Sequence, residues 1–113
     1  MQRKLIRYYD SLGGNGRLGG KYLTAVLNYL HDLDQKVKKS HVEFNVKDWT
    51  LETVGDTPRQ KNAYDCGMFL LMIADFLTDD IPLSNLKQSD IAFYRQKVCL
   101  SILRGLLVNY DYC

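Results

Sequence analysis

The amino-acid sequence predicts an α+β fold. A β-rich opening segment, Lys4-Leu5-Ile6-Arg7-Tyr8-Tyr9, runs into a cluster of turn residues, Asp10-Ser11-Leu12-Gly13-Gly14-Asn15-Gly16. An amphipathic pattern follows, with Tyr22, Val26, Leu30, Leu33 and Val37 at helical spacing. Two more helical patterns occupy the second half, one from Cys66 to Leu77 and one after Asp90.

The opening strand is expected to end at Asp10. In the helix after Gly19-Gly20, Tyr22, Val26, Leu30, Leu33 and Val37 form the expected buried face, and Lys21, Asn28, Asp32 and Lys36 take the others. His31 beside that polar surface and His41 in the next connection read as solvated residues without partners. Between Val42 and Val54, the residues Val46, Trp49, Leu51 and Val54 suggest one or two short strands, with Trp49 in the core. Gly55-Asp56-Thr57-Pro58 breaks that pattern and opens a polar loop, Arg59 to Tyr64.

From Cys66 to Leu77 the chain is apolar nearly all round, which predicts a central helix buried on most sides. Asp79-Asp80-Ile81-Pro82 ends it, and Ser84 to Ser89 is a polar connection. Asp90 is the expected N-cap of the last helix. Its buried face is Ile91, Tyr94, Val98, Ile102 and Leu106, with Cys99 as packing and Arg95, Gln96, Lys97 and Arg104 in water. Residues 1–108 read as one domain, or a piece of one, and residues 109–113 as a tail without a role.

The whole chain has 113 residues, with 15 Lys+Arg against 13 Asp+Glu and a net charge of +2. Its longest basic cluster, Lys36 to Lys39, is interrupted by Val37. That near-balance argues against a nucleic-acid binder working through phosphate neutralisation. No run approaches a membrane span, and Met1-Gln2-Arg3-Lys4 leads into a strand pattern instead of a signal-peptide core. An intracellular, soluble setting without nucleic-acid or membrane partners is the expectation. Cys66, Cys99 and Cys113 lack metal-ligand spacing, and two histidines complete no zinc site. Free thiols, with no metal and no cofactor, follow from this.

Cys66 differs from the other cysteines. It stands where a polar loop becomes an apolar helix, and Gly67 follows it. Unpaired N–H groups and the positive end of the helix dipole stabilise a thiolate there. Gly67 lets a substrate carbonyl approach the backbone, and the Cys66 N–H faces a developing oxyanion. The arrangement suits acyl transfer. Gln60, on the same loop, offers an amide for that oxyanion, although a loop Gln is ordinarily a surface residue. Asp10 reads either as a turn-former or as a carboxylate that orients a histidine.

Three segments carry a resemblance to a family, and the second of them, the loop into Cys66, is the specific one. Ile6-Arg7-Tyr8-Tyr9-Asp10-Ser11-Leu12-Gly13-Gly14 and Pro58-Arg59-Gln60-Lys61-Asn62-Ala63-Tyr64-Asp65-Cys66-Gly67-Met68-Phe69 resemble the ULP/SENP cysteine peptidases, which are specific for SUMO (sentrin) and other ubiquitin-like proteins. The later Asp79-Asp80-Ile81-Pro82 and Ile91-Ala92-Phe93-Tyr94-Arg95 are similar to the family's closing helix with its aromatic-Arg pair. Arg59 stands where the family often has Gln.

The resemblance implies a papain-like cysteine proteinase fold, incomplete at the N-terminal side. It implies Cys66 as nucleophile, Asp10 as the acid orienting the catalytic histidine, and Gln60 as the oxyanion-hole donor. The implied partners are a SUMO-like or other ubiquitin-like protein and its conjugates, and the implied residence is nucleus or cytoplasm. In the family the histidine belongs to a His-Trp pair upstream of the Tyr-Tyr-Asp strand, a place that neither His31 nor His41 occupies. General-base assistance contributes roughly 10²–10⁴-fold, so the chain as written is expected to be inactive or nearly so. It is read as the C-terminal part of a protease domain. The alternative is an inactive fragment or pseudoenzyme that binds a ubiquitin-like protein, and a third reading keeps the fold with acetyl transfer or cleavage of another modifier as its chemistry.

Overall fold

A computed structural model describes residues 3–14, 17–37 and 43–106. Asn15, Gly16, His41 and the tail 109–113 with Cys113 lie outside the described residues. The chain separates into two compact units, Met1–Thr57 and Pro58–Cys113; among the described residues the first holds both strands and one helix, and the second is helical.

In the first unit, β1 (Leu5–Tyr8) and β2 (Thr50–Thr53) pair in parallel, in the register Leu5 to Thr50 through Tyr8 to Thr53. Parallel neighbours require a long crossover, supplied here by α1 (Arg17–Val37) and a 3₁₀ turn at Val46–Asp48. Backbone bonds extend the ladder at both ends, from the Thr50 N–H to the Lys4 carbonyl and from the Val54 N–H to the Tyr8 carbonyl, each 2.9 Å. Arg7 Nε donates to Glu52 Oε2 across the strands at 2.8 Å. That bond and the Glu52 charge push the Arg7 guanidinium above its ordinary pKa.

The expected buried face of α1 is corrected by one position. Leu23 and Leu27 are buried, whereas Tyr22, Val26, Leu33 and Val37 are exposed. The cause is Gly19, which is buried although it carries no side chain. A β-carbon there would lie 2.7 Å from Tyr8 Cδ1 and 3.0 Å from Thr53 Oγ1, so α1 meets the sheet through bare backbone. The contact line then runs Gly19, Leu23, Leu27, and a count of apolar side chains misses its first member.

Three further expectations change in this unit. Strand β1 stops at Tyr8, short of Asp10. Trp49 is half-buried, not core, and stacks on Phe44 at 5.5 Å. His31 has partners after all: it meets Phe44 edge-on at 5.8 Å, and its Nδ1 lies 3.5 Å from Asp32 Oδ1.

The second unit consists of a loop, α2 (Cys66–Thr78), 3₁₀ turns at Leu83–Asn85 and Gln88–Asp90, and α3 (Ile91–Arg104). Met68, Phe69, Met72, Ile73 and Phe76 form the buried face of α2, with Leu86, Ile91 and Tyr94 also buried. Phe76 and Tyr94 meet edge to face at 6.0 Å. Beyond Thr78, Asp80 takes a left-handed conformation (φ 56°), and the Ile81 N–H reaches back to the Phe76 carbonyl at 2.8 Å.

Helix α2 is buried on one face here, not on most sides, because Leu70, Leu71 and Leu77 are exposed. Hydrophobicity all round records a demand for neighbours, and Leu86 and α3 answer it on one side. Burial on α3 is likewise confined to Ile91 and Tyr94, while Val98 is half-buried and Cys99, Ile102 and Leu106 are exposed. Asp90 occupies the N-cap position without a side-chain cap bond. Its helical backbone (φ −94°, ψ −9°) continues the preceding turn, so the carboxylate is not presented as an N-cap in extended backbone would present it.

Candidate active site

The loop before α2 is fixed by side chains, since it has no regular structure. Asn62 organises its turn: Oδ1 accepts from the backbone N–H groups of Tyr64 (3.2 Å) and Asp65 (3.0 Å), and Nδ2 donates to Asp65 Oδ2 at 2.7 Å. Gln60 Nε2 donates to the Asn62 carbonyl at 2.6 Å. The far end of the loop is tied to the entrance of α3. Gln88 accepts from the Lys61 N–H (2.8 Å) and donates to Asp65 Oδ2 (2.9 Å), and Arg95 Nη2 donates to Asp65 Oδ1.

Asp65 is therefore buried, its side chain 8% exposed, and its carboxylate accepts three hydrogen bonds. The Asn62 bond holds its carboxyl below the ordinary 3.8, helped by Gln88, by Arg95 and by the guanidinium charge, while burial acts in the opposite direction. Its backbone carbonyl accepts the Phe69 N–H at 3.0 Å and so begins α2. Its side chain makes no cap bond to the helix. The first-turn N–H groups, which an α-helix leaves without internal partners, are consequently not closed off by this carboxylate.

Cys66 is the first residue of α2, exposed and with a free thiol. A β-carbon added at Gly67 would meet nothing within 4 Å, so packing among the described residues does not demand glycine there. An exposed sulfur, a helix start uncapped by a side chain and open space beside it suit nucleophilic attack on an acyl carbon.

Of the residues singled out in the sequence, Cys66 and Gln60 lie in the second unit and Asp10 in the first. Asp10 follows β1, half-buried. Its Oδ1 accepts from the Leu12 N–H at 2.9 Å and its Oδ2 from the Gly14 N–H at 3.1 Å, which makes it the organiser of its own turn. Each carboxylate oxygen has a further lone pair for an imidazole N–H.

Sequence reading missed the support of the site. Arg95 is exposed as expected, its side chain 54% accessible, but it is also paired with Asp65, and Gln88 was unassigned. Asp65 stood next to Cys66 in the motif without a recognised task. Among the described residues no group of three His, Cys, Asp or Glu side chains forms a metal site, and no helix is long and apolar enough to cross a membrane.

Known proteins resemble this chain along most of its length. Residues 1–106 match the model of the Ulp1 protease family, C-terminal catalytic domain. The ubiquitin-like-specific protease ESD4 of Arabidopsis thaliana is 35% identical over 103 residues, which is 91% of this chain and 20% of that protein. Ubiquitin-like-specific protease 1A of the same plant is 33% identical over 99 residues, 88% of the chain and 18% of that protein. Human sentrin-specific protease 2 is 30% identical over 110 residues, 96% of the chain and 18% of that protein. The chain thus spans about a fifth of the length of these curated relatives.

Proposed function

Because the chain belongs to the Ulp1 protease family, within its C-terminal catalytic domain, we propose that it carries the nucleophile of a papain-like cysteine peptidase acting on a SUMO-like modifier. The reaction is hydrolysis of the bond after the modifier's C-terminal Gly-Gly, in a precursor or in a conjugate to a target lysine. The observation that carries this reading is the exposed Cys66 thiol at the start of α2, beside the open position of Gly67.

In the proposed mechanism the Cys66 thiolate attacks the glycyl carbonyl carbon, and the carbonyl oxygen becomes an oxyanion. The Cys66 N–H and the Gln60 amide hold that oxyanion. A histidine outside residues 1–113, oriented by Asp10, takes the thiol proton and delivers it to the leaving amine as the C–N bond breaks. Water then attacks the thioester, giving the modifier a free carboxylate and returning the thiol. Modifier and conjugate are the implied partners, in nucleus or cytoplasm.

The test uses the protein translated from the complete reading frame, with a SUMO C-terminal vinyl-sulfone probe. An adduct mapped to Cys66, lost in Cys66→Ala, is the expected result. Reversible binding without an adduct identifies a recognition module instead. Cleavage of a SUMO C-terminal fusion at an undiminished rate by Cys66→Ala overturns the assignment of the nucleophile.

A further inference from the structure

Asp65 is the one buried charged side chain among the described residues, and it directly precedes the proposed nucleophile. Burying a carboxylate is costly unless donors replace water. Asn62 supplies one donor from within the loop, and the other two come from far along the chain: Gln88 is 23 residues away and Arg95 is 30. Gln88 also holds the loop through the Lys61 N–H, so one side chain grips both ends of the segment Lys61 to Asp65. That segment is also the place where Gln60 is tied to the Asn62 carbonyl.

An Asp at an N-cap position ordinarily turns its oxygen onto the first helical N–H groups. Here the carboxylate is spent on Asn62, Gln88 and Arg95 instead. Those contacts leave the helix start for other ligands and set the Arg95 guanidinium against a negative charge adjoining the sulfur. An uncompensated carboxylate beside Cys66 would oppose formation of a thiolate.

We propose that Gln88 and Arg95 are positioning residues for the acyl-transfer site: acting through Asp65, they lock the loop 60–65 and thereby set the place and reactivity of the Cys66 sulfur. This rests on the peptidase reading for its purpose, but the physical coupling is measurable without a substrate. Loosening the clamp lets the start of α2 fray and leaves the Asp65 charge poorly neutralised. Both effects slow attack by the sulfur. Cys99 lies one turn beyond Arg95 on α3, so it is a clean reference for Gln88→Leu, which leaves that helix unaltered.

The experiment compares the full chain with Gln88→Leu, Arg95→Met and Arg95→Lys, and with Arg104→Ala as a control on the exposed end of α3. Iodoacetamide alkylation of Cys66 and Cys99 is followed at each site by mass spectrometry, and helical content by circular dichroism. Gln88→Leu and Arg95→Met are expected to slow Cys66 alkylation by about tenfold, because the reagent attacks the thiolate and a poorly neutralised Asp65 charge beside the sulfur disfavours it. Cys99 alkylation stays unchanged in Gln88→Leu, and Arg95→Lys, which keeps the charge, recovers most of the Arg95→Met loss at Cys66. In the protein from the complete reading frame, the same variants lower kcat with little change in KM.

Unchanged Cys66 alkylation in a folded Gln88→Leu or Arg95→Met overturns the proposal, and so does an equal slowing of both cysteines in Gln88→Leu. Should Arg95→Met lose its helical signal, Gln88→Leu decides, since it leaves the Arg95–Asp65 pair in place. Slowed alkylation in a protein that cleaves no Gly-Gly fusion refutes the peptidase reading alone. Cleavage by the variants at the parental kcat, with unchanged alkylation, refutes the clamp alone.

Discussion

Gly67→Ala separates the cost of a site from the cost of a fold. Gly67 lies inside α2 with no positive φ, and a β-carbon there meets nothing within 4 Å. The alanine variant therefore gains stability, by about 0.5–1 kcal/mol from the reduced freedom of the unfolded chain. That is a factor of roughly two to five in the folded-to-unfolded ratio, and a rise in Tm of roughly 2–6 °C for a domain of this size. In the proposed reaction the same methyl group occupies the space through which the glycyl carbonyl reaches the sulfur. Displacing the reacting carbon by about 1 Å costs on the order of 10²-fold in kcat/KM, or about 2.7 kcal/mol of transition-state stabilisation. The assay pairs a thermal melt of the chain with cleavage of a SUMO C-terminal fluorogenic substrate by the protein from the complete reading frame. A more stable variant that cleaves within twofold of the parent refutes the role given to Gly67. A less stable variant refutes the reading of the space beside it.

Three other outcomes follow from the packing and the charges. Phe69→Ala, at a side chain with no exposure, is expected to cost about 3–5 kcal/mol, whereas Leu70→Ala, at a neighbour 70% exposed, changes stability by about 0.5 kcal/mol or less; urea denaturation midpoints compare them, and equal losses would contradict the one-sided burial of α2. Gly19→Ala forces a β-carbon to within 2.7 Å of the Tyr8 ring and is expected to destabilise the first unit by about 1–3 kcal/mol, read from the midpoint of a melt; no change would mean that α1 does not meet the sheet through Gly19. The Asp65 carboxyl lies below its ordinary value of 3.8 when folded, so its contribution is complete above that value and is lost as pH falls through the folded one. The Tm of Asp65→Asn is accordingly lower than the parent's at neutral pH and flatter below about pH 4, and parallel pH profiles would exclude this role for Asp65.

The element order was largely legible because its signals are local. Turn residues after β1, the loop into Cys66 and the apolar run of α2 each announce themselves within a few neighbours, and the structure places β1, α1, α2 and α3 in that order. What went astray was which face of a helix finds a partner. Tyr22, Val26 and Leu33 form as good a stripe as Leu23 and Leu27, and the choice between them was made by Gly19, a residue that adds nothing to a hydrophobic pattern. Leu70 and Ile102 show the converse, since an apolar residue states a preference for burial without naming the neighbour that would satisfy it.

The candidate site divides along the same line. Cys66 and Gly67 were visible because a thiol at a helix start is a statement about adjacent residues. Asp65 was visible too, but its charge reads as an exposed loop residue until Gln88 and Arg95 are brought beside it from 23 and 30 positions away. An Arg one position past Tyr94 on an amphipathic helix looks like solvent-facing surface, and only the tertiary fold turns it into the counter-charge of a buried carboxylate. Chemistry written in neighbouring residues can be read from a chain. The side chains that hold such chemistry in place come from other elements, and they enter view when the elements pack.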